Sequence, residues 1–242
     1  MTTCKGSVAE IESFGLTDGP GIRTVVFLNG CMLRCKYCHN PEMQERQPAL
    51  TTPDEIVKKA LRNKPYFKRN GGGVTFSGGE PLLQPLFLLE ACQKLRAEGI
   101  HIALDTAGIG LGRYDEILAN IDLVLLDIKH ITPEGYQEIT THDYLDRFFE
   151  FVEALNKSGK PVWIRQVVVP EVHDSKQYMR DLAKFLKKHL KNVERVDFLP
   201  YHKLGSDKYE KLGRTSPYKD KPPMDVKRCD ELYRYFCQHY PC

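Results

Sequence analysis

Three cysteines lie close together near the N-terminal end of the chain, at Cys31, Cys35 and Cys38. Their CxxxCxxC spacing gathers three thiolates without an obvious fourth. A closed structural metal site normally has four protein ligands, and an electron-transfer iron–sulfur cluster is usually held by four cysteines. Three cysteines on a four-iron cluster leave one iron open to a substrate. The spacing therefore favours a reactive iron–sulfur centre, and zinc with a distant fourth ligand such as His39 is the alternative.

Further polar residues stand where predicted strands end. In parallel α/β proteins the loops at the carboxyl ends of the strands form the functional site. Each residue alone has an ordinary explanation, such as a tight Gly-Gly turn, a helix cap or a surface histidine. Their recurrence after five of six strands predicts a single site. After the cysteines come Ser77-Gly-Gly-Glu80, Asp105 and Thr106, Asp127 and Lys129, and His202, and Arg165 lies inside a strand, where a buried guanidinium needs an anion.

The elements that must position these residues are read from hydrophobic periodicity. Apolar, β-branched runs alternate with helix-like segments, which favours right-handed βαβ units and a mostly parallel sheet. A Thr52-Pro-Asp-Glu55 capping pattern opens the first helix. The strands are predicted at 24–29, 73–76, 100–105, 123–128, 162–169 and 193–199. The helices are predicted at 52–62, 86–98, 143–157, 174–190 (from an acidic cap, Asp174) and 225–239.

Six strand–helix units predict an α/β fold, a partial (β/α)6 barrel in one domain over residues 1–242. An eight-unit barrel typically needs about 250 residues, and part of this chain is used elsewhere. We expect a hairpin-like N-terminal segment, a cluster loop at 30–41, the partial barrel at about 22–200, an irregular loop at 201–223 and a C-terminal helix at 224–242.

Composition excludes several functional classes. The net charge of +3 comes from 35 basic and 32 acidic residues, without a basic block, so nucleic acid is not a favoured partner. No apolar run is long enough to span a membrane, and no signal peptide is recognised, so we expect a cytoplasmic protein. Thiols stay reduced in that compartment. We therefore expect the scattered Cys4, Cys92, Cys229, Cys237 and Cys242 to be free or buried thiols.

The cysteine motif, with Tyr37 before its last cysteine, resembles the signature of the radical S-adenosylmethionine superfamily. Within it the chain is similar to the activases of glycyl radical enzymes, of the type that acts on pyruvate formate-lyase. Related activases often insert a cysteine-rich segment after the motif, but residues 40–71 contain no cysteine. The matching segments are Asp18–Arg23, Tyr37–Pro41, Gly71–Glu80, Leu104–Thr106, Asp127–Lys129, Trp163–Arg165 and Leu199–His202.

The resemblance implies one [4Fe-4S] cluster on Cys31, Cys35 and Cys38, with S-adenosylmethionine bound to its open iron as a cosubstrate. It implies catalytic roles for those cysteines and Lys129. It also implies a monovalent cation at Asp105, Thr106 and Asp127. The residues expected around S-adenosylmethionine are Tyr37, Cys38, His39, Gly78, Gly79, Glu80, Asp127, Ile128, Lys129, Arg165 and His202.

The activity implied by the resemblance is reductive cleavage of S-adenosylmethionine to methionine and a 5′-deoxyadenosyl radical. That radical would abstract hydrogen from a glycine Cα of pyruvate formate-lyase. The implied partners are that enzyme and a reductant such as flavodoxin or ferredoxin, and we expect a monomer. The alternatives are an activase of another glycyl radical enzyme, or a non-catalytic zinc or electron-carrier protein.

Overall fold

An eight-stranded sheet organises the computed structural model, which describes residues 4–48 and 50–242. The strand order is β3-β1-β2-β4-β5-β6-β7-β8, and β3 and β8 are the edges of the open sheet. The strands are β1 (Gly6–Gly15), β2 (Arg23–Leu28), β3 (Leu50–Thr51), β4 (Gly73–Gly78), β5 (His101–Thr106), β6 (Leu123–Asp127), β7 (Val162–Val168) and β8 (Val193–Pro200).

Six of these strands are the six predicted from the sequence, and their parallel pairing is confirmed. Strands β2 and β4 to β8 are parallel to their neighbours. Strand β1 forms the expected hairpin-like segment, antiparallel to β2, and the short β3 extends it. The fold is therefore the predicted α/β partial barrel, open between β3 and β8.

Helices cover the outer face of the sheet. Their bounds are α1 (Pro53–Asn70), α2 (Pro85–Ala97), α3 (Tyr114–Ala119), α4 (Pro133–Thr140), α5 (Leu145–Ser158), α6 (Lys176–His189), α7 (Ser206–Lys211) and α8 (Val226–Cys237), with short 3-10 helices at Pro41–Met43 and Pro81–Leu83. The predicted capping box is present, because Thr52 and Glu55 exchange side-chain and backbone hydrogen bonds at the start of α1. No helix in the described part of the chain is long and apolar enough to cross a membrane.

Several expectations for the helices were wrong in detail. Helix α1 continues past residue 62 to Asn70 despite Pro65, and ends at Gly71 in the left-handed conformation. The cap of α6 is Ser175, whose hydroxyl accepts from the Tyr178 amide, and Asp174 instead accepts from the Glu171 amide. The shorter helices α3 and α4 were not predicted, since six and eight residues give little periodicity.

Two other expectations also need correction. The segment 201–223 is not wholly irregular, because it contains α7. Cys237 and Cys242 form a disulfide, so these two residues are not the free thiols that we expected. Cys4, Cys92 and Cys229 are free, as predicted.

Candidate functional site

A cavity of about 720 Å³ opens at the carboxyl ends of the strands, inside the partial barrel. Successive side chains of a strand point to opposite faces of a sheet. On β6, Val124 and Leu126 therefore pack with the main core beneath the helices, whereas Leu125 and Asp127 line the cavity. On β7, Trp163 and Arg165 face the cavity by the same alternation. The alternation of side chains along β6 and β7 therefore places charged and apolar side chains together in the cavity.

The cysteine loop follows β2 and lies along one wall of this cavity. Backbone hydrogen bonds hold it, because the Cys31 amide donates to the Gln44 carbonyl at 3.0 Å and the Cys38 amide donates to the Cys35 carbonyl at 3.0 Å. All three thiols line the cavity, and Cys35 is buried while the other two are half-buried. Burial raises the pKa of the Cys35 thiol to about 11, and it also raises the pKa of Cys31 and Cys38.

A layer of four charged side chains lies at the carboxyl ends of β5, β6 and β7. Arg165 donates to Asp105 and, at 3.2 Å, to Asp127. Lys129 contacts the second carboxylate oxygen of Asp127 at 2.9 Å. All four side chains are largely buried, with 10 to 22% exposure. The layer contains two anions and two cations, so its formal charge is zero.

Burial and mutual attraction act in opposite directions on the pKa values of this layer. Burial raises the pKa of Asp105, and the nearby Arg165 only partly offsets it. Burial also acts on Asp127, but Lys129 and Arg165 outweigh it and lower the pKa of this carboxyl. Burial alone would lower the pKa of Lys129, yet Asp127 and its other neighbours raise it well above the usual value. Asp127 and Lys129 are therefore a charged pair at neutral pH.

The Ser77-Gly-Gly-Glu80 turn joins the cysteine loop to this charged layer. Ser77 donates to Asp105 at 2.6 Å. A Cβ atom on Gly78 would lie 2.4 Å from the Leu28 backbone, and one on Gly79 would lie 2.3 Å from the Gly30 carbonyl oxygen. Both glycines are thus required by close backbone approach to β2 and to the start of the cysteine loop.

Glu80 is used internally rather than at the cavity surface. Its buried carboxylate accepts from the Thr106 hydroxyl at 2.6 Å, from the Ala107 amide at 2.8 Å and from the Leu82 amide at 3.1 Å. Burial raises the pKa of Glu80 to about 7 despite these hydrogen bonds. Glu80 therefore fixes the loop after β5, and this role was not expected from the sequence.

Two aromatic groups in the cysteine loop carry buried polar atoms without a hydrogen-bond partner among the described residues. These atoms are the Tyr37 hydroxyl and His39 Nε2. The His39 ring stacks on His202, with ring centroids 4.0 Å apart, and Lys129 lies over the Tyr37 ring at 5.7 Å. All four side chains line the cavity. Buried polar atoms without partners are uncommon and costly, so this wall is suited to a polar ligand.

The structure brings most of the predicted site residues to one cavity. Gly78, Glu80 and Ile128 are the exceptions, and Ile128 is buried with its amide bonded to the Arg165 carbonyl at 2.9 Å. Among the described residues, no three His, Cys, Asp or Glu side chains are grouped tightly enough to hold a single metal ion. The predicted residues that line the cavity are Cys31, Cys35, Tyr37, Cys38, His39, Gly79, Asp105, Thr106, Asp127, Lys129, Arg165 and His202.

Sequence reasoning gave no site role to the loop between β1 and β2, although Asp18–Arg23 is among the segments that match the family. Its residues Leu16 to Gly19 form part of the cavity rim. The buried Arg23 anchors this loop by donating to the Pro20 carbonyl at 3.0 Å and to the Val74 carbonyl at 2.6 Å. The Thr75 hydroxyl donates to the Asp18 carbonyl at 2.6 Å. The only signal in the sequence was the Gly- and Pro-rich run Asp18–Arg23, which has no recognisable chemistry by itself.

Comparison with known proteins agrees with this geometry. The model of the radical SAM superfamily matches residues 25–186. The chain is 51% identical over 231 residues to a pyruvate formate-lyase-activating enzyme of Clostridium pasteurianum, covering 95% of this chain and 96% of that one. It is 41% identical to the enzyme of the same name from Staphylococcus epidermidis, over 96% of this chain and 95% of that relative.

A solved structure of a radical SAM methyltransferase from Sphaerobacter thermophilus has the same fold, with a TM-score of 0.64 and 15% identity over 97% of this chain and 75% of that one. The three-cysteine loop lies within the matched family region, and the two curated relatives align along nearly the whole chain. The chain therefore belongs to the radical SAM superfamily and, within it, to the family of pyruvate formate-lyase-activating enzymes.

Proposed function

We propose that this protein uses a [4Fe-4S] cluster and S-adenosylmethionine to place a glycyl radical on pyruvate formate-lyase. The observation that carries the proposal is the meeting of three thiols and a charge-balanced layer on one cavity of about 720 Å³. The thiols suit iron–sulfur ligation, and the charged layer suits the zwitterionic end of an amino acid. The names of the closely similar relatives support the choice of target.

The thiol wall fits a cluster with one iron not bound by protein. Cys31, Cys35 and Cys38 come from one loop of eight residues and all line the cavity. Burial keeps the free thiols protonated by raising their pKa values, so cluster binding must displace these protons. Lys129 lowers the pKa of Cys35 against that trend, which favours the thiolate needed for ligation.

The charged layer and the adjoining aromatic side chains of the cysteine loop fit S-adenosylmethionine. Arg165 and Lys129 are cationic donors for its carboxylate, and Asp127 is an acceptor for its ammonium group. Tyr37 and His39 line the cavity, and the Tyr37 hydroxyl and His39 Nε2 have no hydrogen-bond partner within the described chain. A ligand that bonds them after a small side-chain shift breaks no protein hydrogen bond. Trp163 and Leu125 supply apolar surface at the base of the cavity. These residues are our candidates for binding and orienting the cosubstrate.

When bound, the cluster supplies the electron for the cleavage that yields methionine and the 5′-deoxyadenosyl radical. The protein must orient the cosubstrate and exclude water and competing C–H bonds. Cys38, His202, Asp127 and Arg165 all line the cavity in which this must happen. The cavity rim, which includes Leu16 to Gly19, is where a glycine segment of the target would enter.

The cation site implied by the resemblance also belongs to this proposal. Asp105 and Asp127 both pair with Arg165, and Thr106 lines the same cavity, so these three residues are the candidates for a monovalent cation. In this structure Arg165 pairs with both carboxylates, and the Thr106 hydroxyl donates to Glu80. A cation would therefore have to share these carboxylates with Arg165, and binding of S-adenosylmethionine measured in potassium and in tetramethylammonium salts tests it.

The proposal is tested with anaerobically purified protein, a reductant and S-adenosylmethionine. We expect about four irons and four sulfides per chain, methionine formation, and a glycyl radical doublet in electron paramagnetic resonance when pyruvate formate-lyase is added. Cleavage without the doublet would indicate another glycyl radical enzyme as the target. One zinc and no cleavage would refute the enzyme. We expect the protein to act as a monomer in the cytoplasm, with flavodoxin or ferredoxin as donor.

A further inference from the structure

The cysteine loop separates the main cavity from a second, much smaller one on its other side. Tyr37, Cys38, His39 and His202 line both cavities. The small one is completed by Lys36 and by Tyr201, Gly205, Ser206 and Ser216. The wall between the two is therefore about one residue thick at Cys38, which is one of the three candidate cluster ligands.

The segment 203–221, which we call the strap, packs directly on the outer side of this wall. A Cβ atom on Gly205 would lie 2.7 Å from the Cys38 carbonyl oxygen and 2.9 Å from the His39 Cα. Lys208 of the strap binds Glu42 at 2.5 Å and Asn40 at 2.7 Å, just after the cysteine motif. The backbone of the strap at Gly205 is therefore packed directly against the backbone of Cys38 and His39, with no room for a side chain between them.

The residues next to Gly205 form an exposed surface with an apolar centre and basic neighbours. Leu204 is 77% exposed, the largest exposure among the exposed large apolar side chains in the described chain. Lys203 binds the Lys219 carbonyl at 2.8 Å, and neither lysine pairs with a carboxylate among the described residues. Across residues 203–221 there are six basic and three acidic side chains. An apolar anchor with a basic surround is typical of a transient interface with an acidic partner.

We propose that Leu204, Lys203 and Lys219 form the docking surface for an acidic one-electron carrier protein. This inference rests on the cluster assignment in the proposed function. One electron leaves the carrier, for example an anionic flavin hydroquinone that becomes the neutral semiquinone, and reduces the [4Fe-4S] cluster from the 2+ to the 1+ state. No bond forms or breaks, and no proton is taken up.

The position of the surface favours an electron carrier over the glycyl radical enzyme. A radical generated in the main cavity must meet its C–H bond there, so the target has to enter by the cavity rim. An electron can instead cross the thin wall at Cys38 without any opening. A carrier at Leu204 would therefore leave the cavity free for the target.

The test compares charge-changing variants in the complete, cluster-loaded protein. Leu204→Asp and Lys203→Glu change the proposed surface, and Leu86→Asp and Lys58→Glu make the same chemical changes on exposed positions of α2 and α1. Binding of oxidised flavodoxin is measured by calorimetry at low and high salt. Cluster reduction by flavodoxin hydroquinone is followed by stopped flow, with dithionite as the small-molecule reductant.

We expect each surface variant to weaken binding and slow reduction by flavodoxin about tenfold at low salt, with a smaller effect at high salt. Dithionite reduction and iron content should equal those of wild type, and both control variants should bind normally. Normal binding by Leu204→Asp and Lys203→Glu would overturn the proposal. The proposal would also be overturned if the surface variants bound flavodoxin normally but formed the glycyl radical slowly with dithionite as reductant. That result would show that the surface binds the glycyl radical enzyme. Wild-type protein that binds no iron would instead refute the proposed function.

Discussion

Removing Arg165 should destabilise the protein far more than removing an exposed arginine from the neighbouring strand. Arg165 is 17% exposed and pairs with two buried carboxylates. Arg165→Met keeps much of the side-chain volume but changes the buried layer from two anions and two cations to two anions and one cation. Breaking a buried ion pair from one side costs about 3–5 kcal/mol. We expect a loss of that size in the free energy of unfolding at neutral pH.

Arg195→Met is the matched control. Arg195 lies on β8, pairs with Asp197 at 2.8 Å and is 54% exposed. Exposed ion pairs contribute about 0–1 kcal/mol, and the Arg195 guanidinium also lies over the Trp163 ring at 4.7 Å, a contact worth about 0.5–1 kcal/mol. The control should therefore lose at most about 2 kcal/mol, still less than Arg165→Met. Urea unfolding of both variants without cluster or S-adenosylmethionine measures the two losses under identical conditions.

The pH dependence gives the same prediction an independent check. Burial already raises the pKa of Asp105, and Arg165 is the largest influence that lowers it. Without Arg165 the pKa of Asp105 in the folded protein should rise further. A carboxyl group whose pKa is higher in the folded than in the unfolded protein makes folding more favourable as the pH falls. The loss in free energy of unfolding caused by Arg165→Met should therefore become smaller as the pH falls from 8 to 5, by at most about 1.4 kcal/mol per pH unit. A loss equal to the control's, or one independent of pH, would contradict the buried-charge reasoning.

Three further variants test other parts of the site. Cys35→Ala should abolish methionine formation and lower the iron content, because a cluster held by two protein ligands is poorly retained; full activity would refute the ligand assignment. Burial raises the pKa of Glu80 to about 7, so the wild-type protein should become less stable as the pH rises from about 5 to 7. Glu80→Gln has no group to titrate there, and its unfolding free energy should not show this decrease. Unchanged pH dependence would contradict this. In Gly205→Ala the new Cβ would contact the Cys38 carbonyl. We expect this variant to release iron to a chelator several-fold faster and to lose about 1–3 kcal/mol of unfolding free energy. Ser206→Ala is the control and should show neither effect.

The parallel sheet and the location of the site could be predicted from the sequence, because both depend on local patterns. The β-branched runs specify the strands, and the alternation of side chains along β6 and β7 places Asp127 and Arg165 on the cavity side. The cysteine spacing needs no tertiary information. A parallel sheet then brings the ends of successive strands together.

The roles that could not be predicted depend on contacts between distant segments. Glu80 reads as a cavity carboxylate in the sequence, but its hydrogen bonds go to Thr106 and to two backbone amides. Arg23 anchors the rim loop through carbonyl groups up to 78 residues away. Helix α7 has six residues, too few for a periodic signal. The disulfide at Cys237 and Cys242 likewise depends on how the chain turns after α8.

The candidate site is assembled from two parts that are supported by different elements. The charged layer follows from strand register, since Asp127 and Arg165 are direct neighbours between β6 and β7. The cysteine loop depends on backbone contacts with α4 and the strap, and the Arg34 amide donates to the Thr140 carbonyl at 3.0 Å. Gly79 connects the two parts, because its amide donates to the Leu28 carbonyl at 2.7 Å and its α-carbon leaves no room for a side chain beside Gly30. The spacing between the cysteine loop and the charged layer therefore depends on the close backbone contact at Gly79, where any side chain would force the two parts to move.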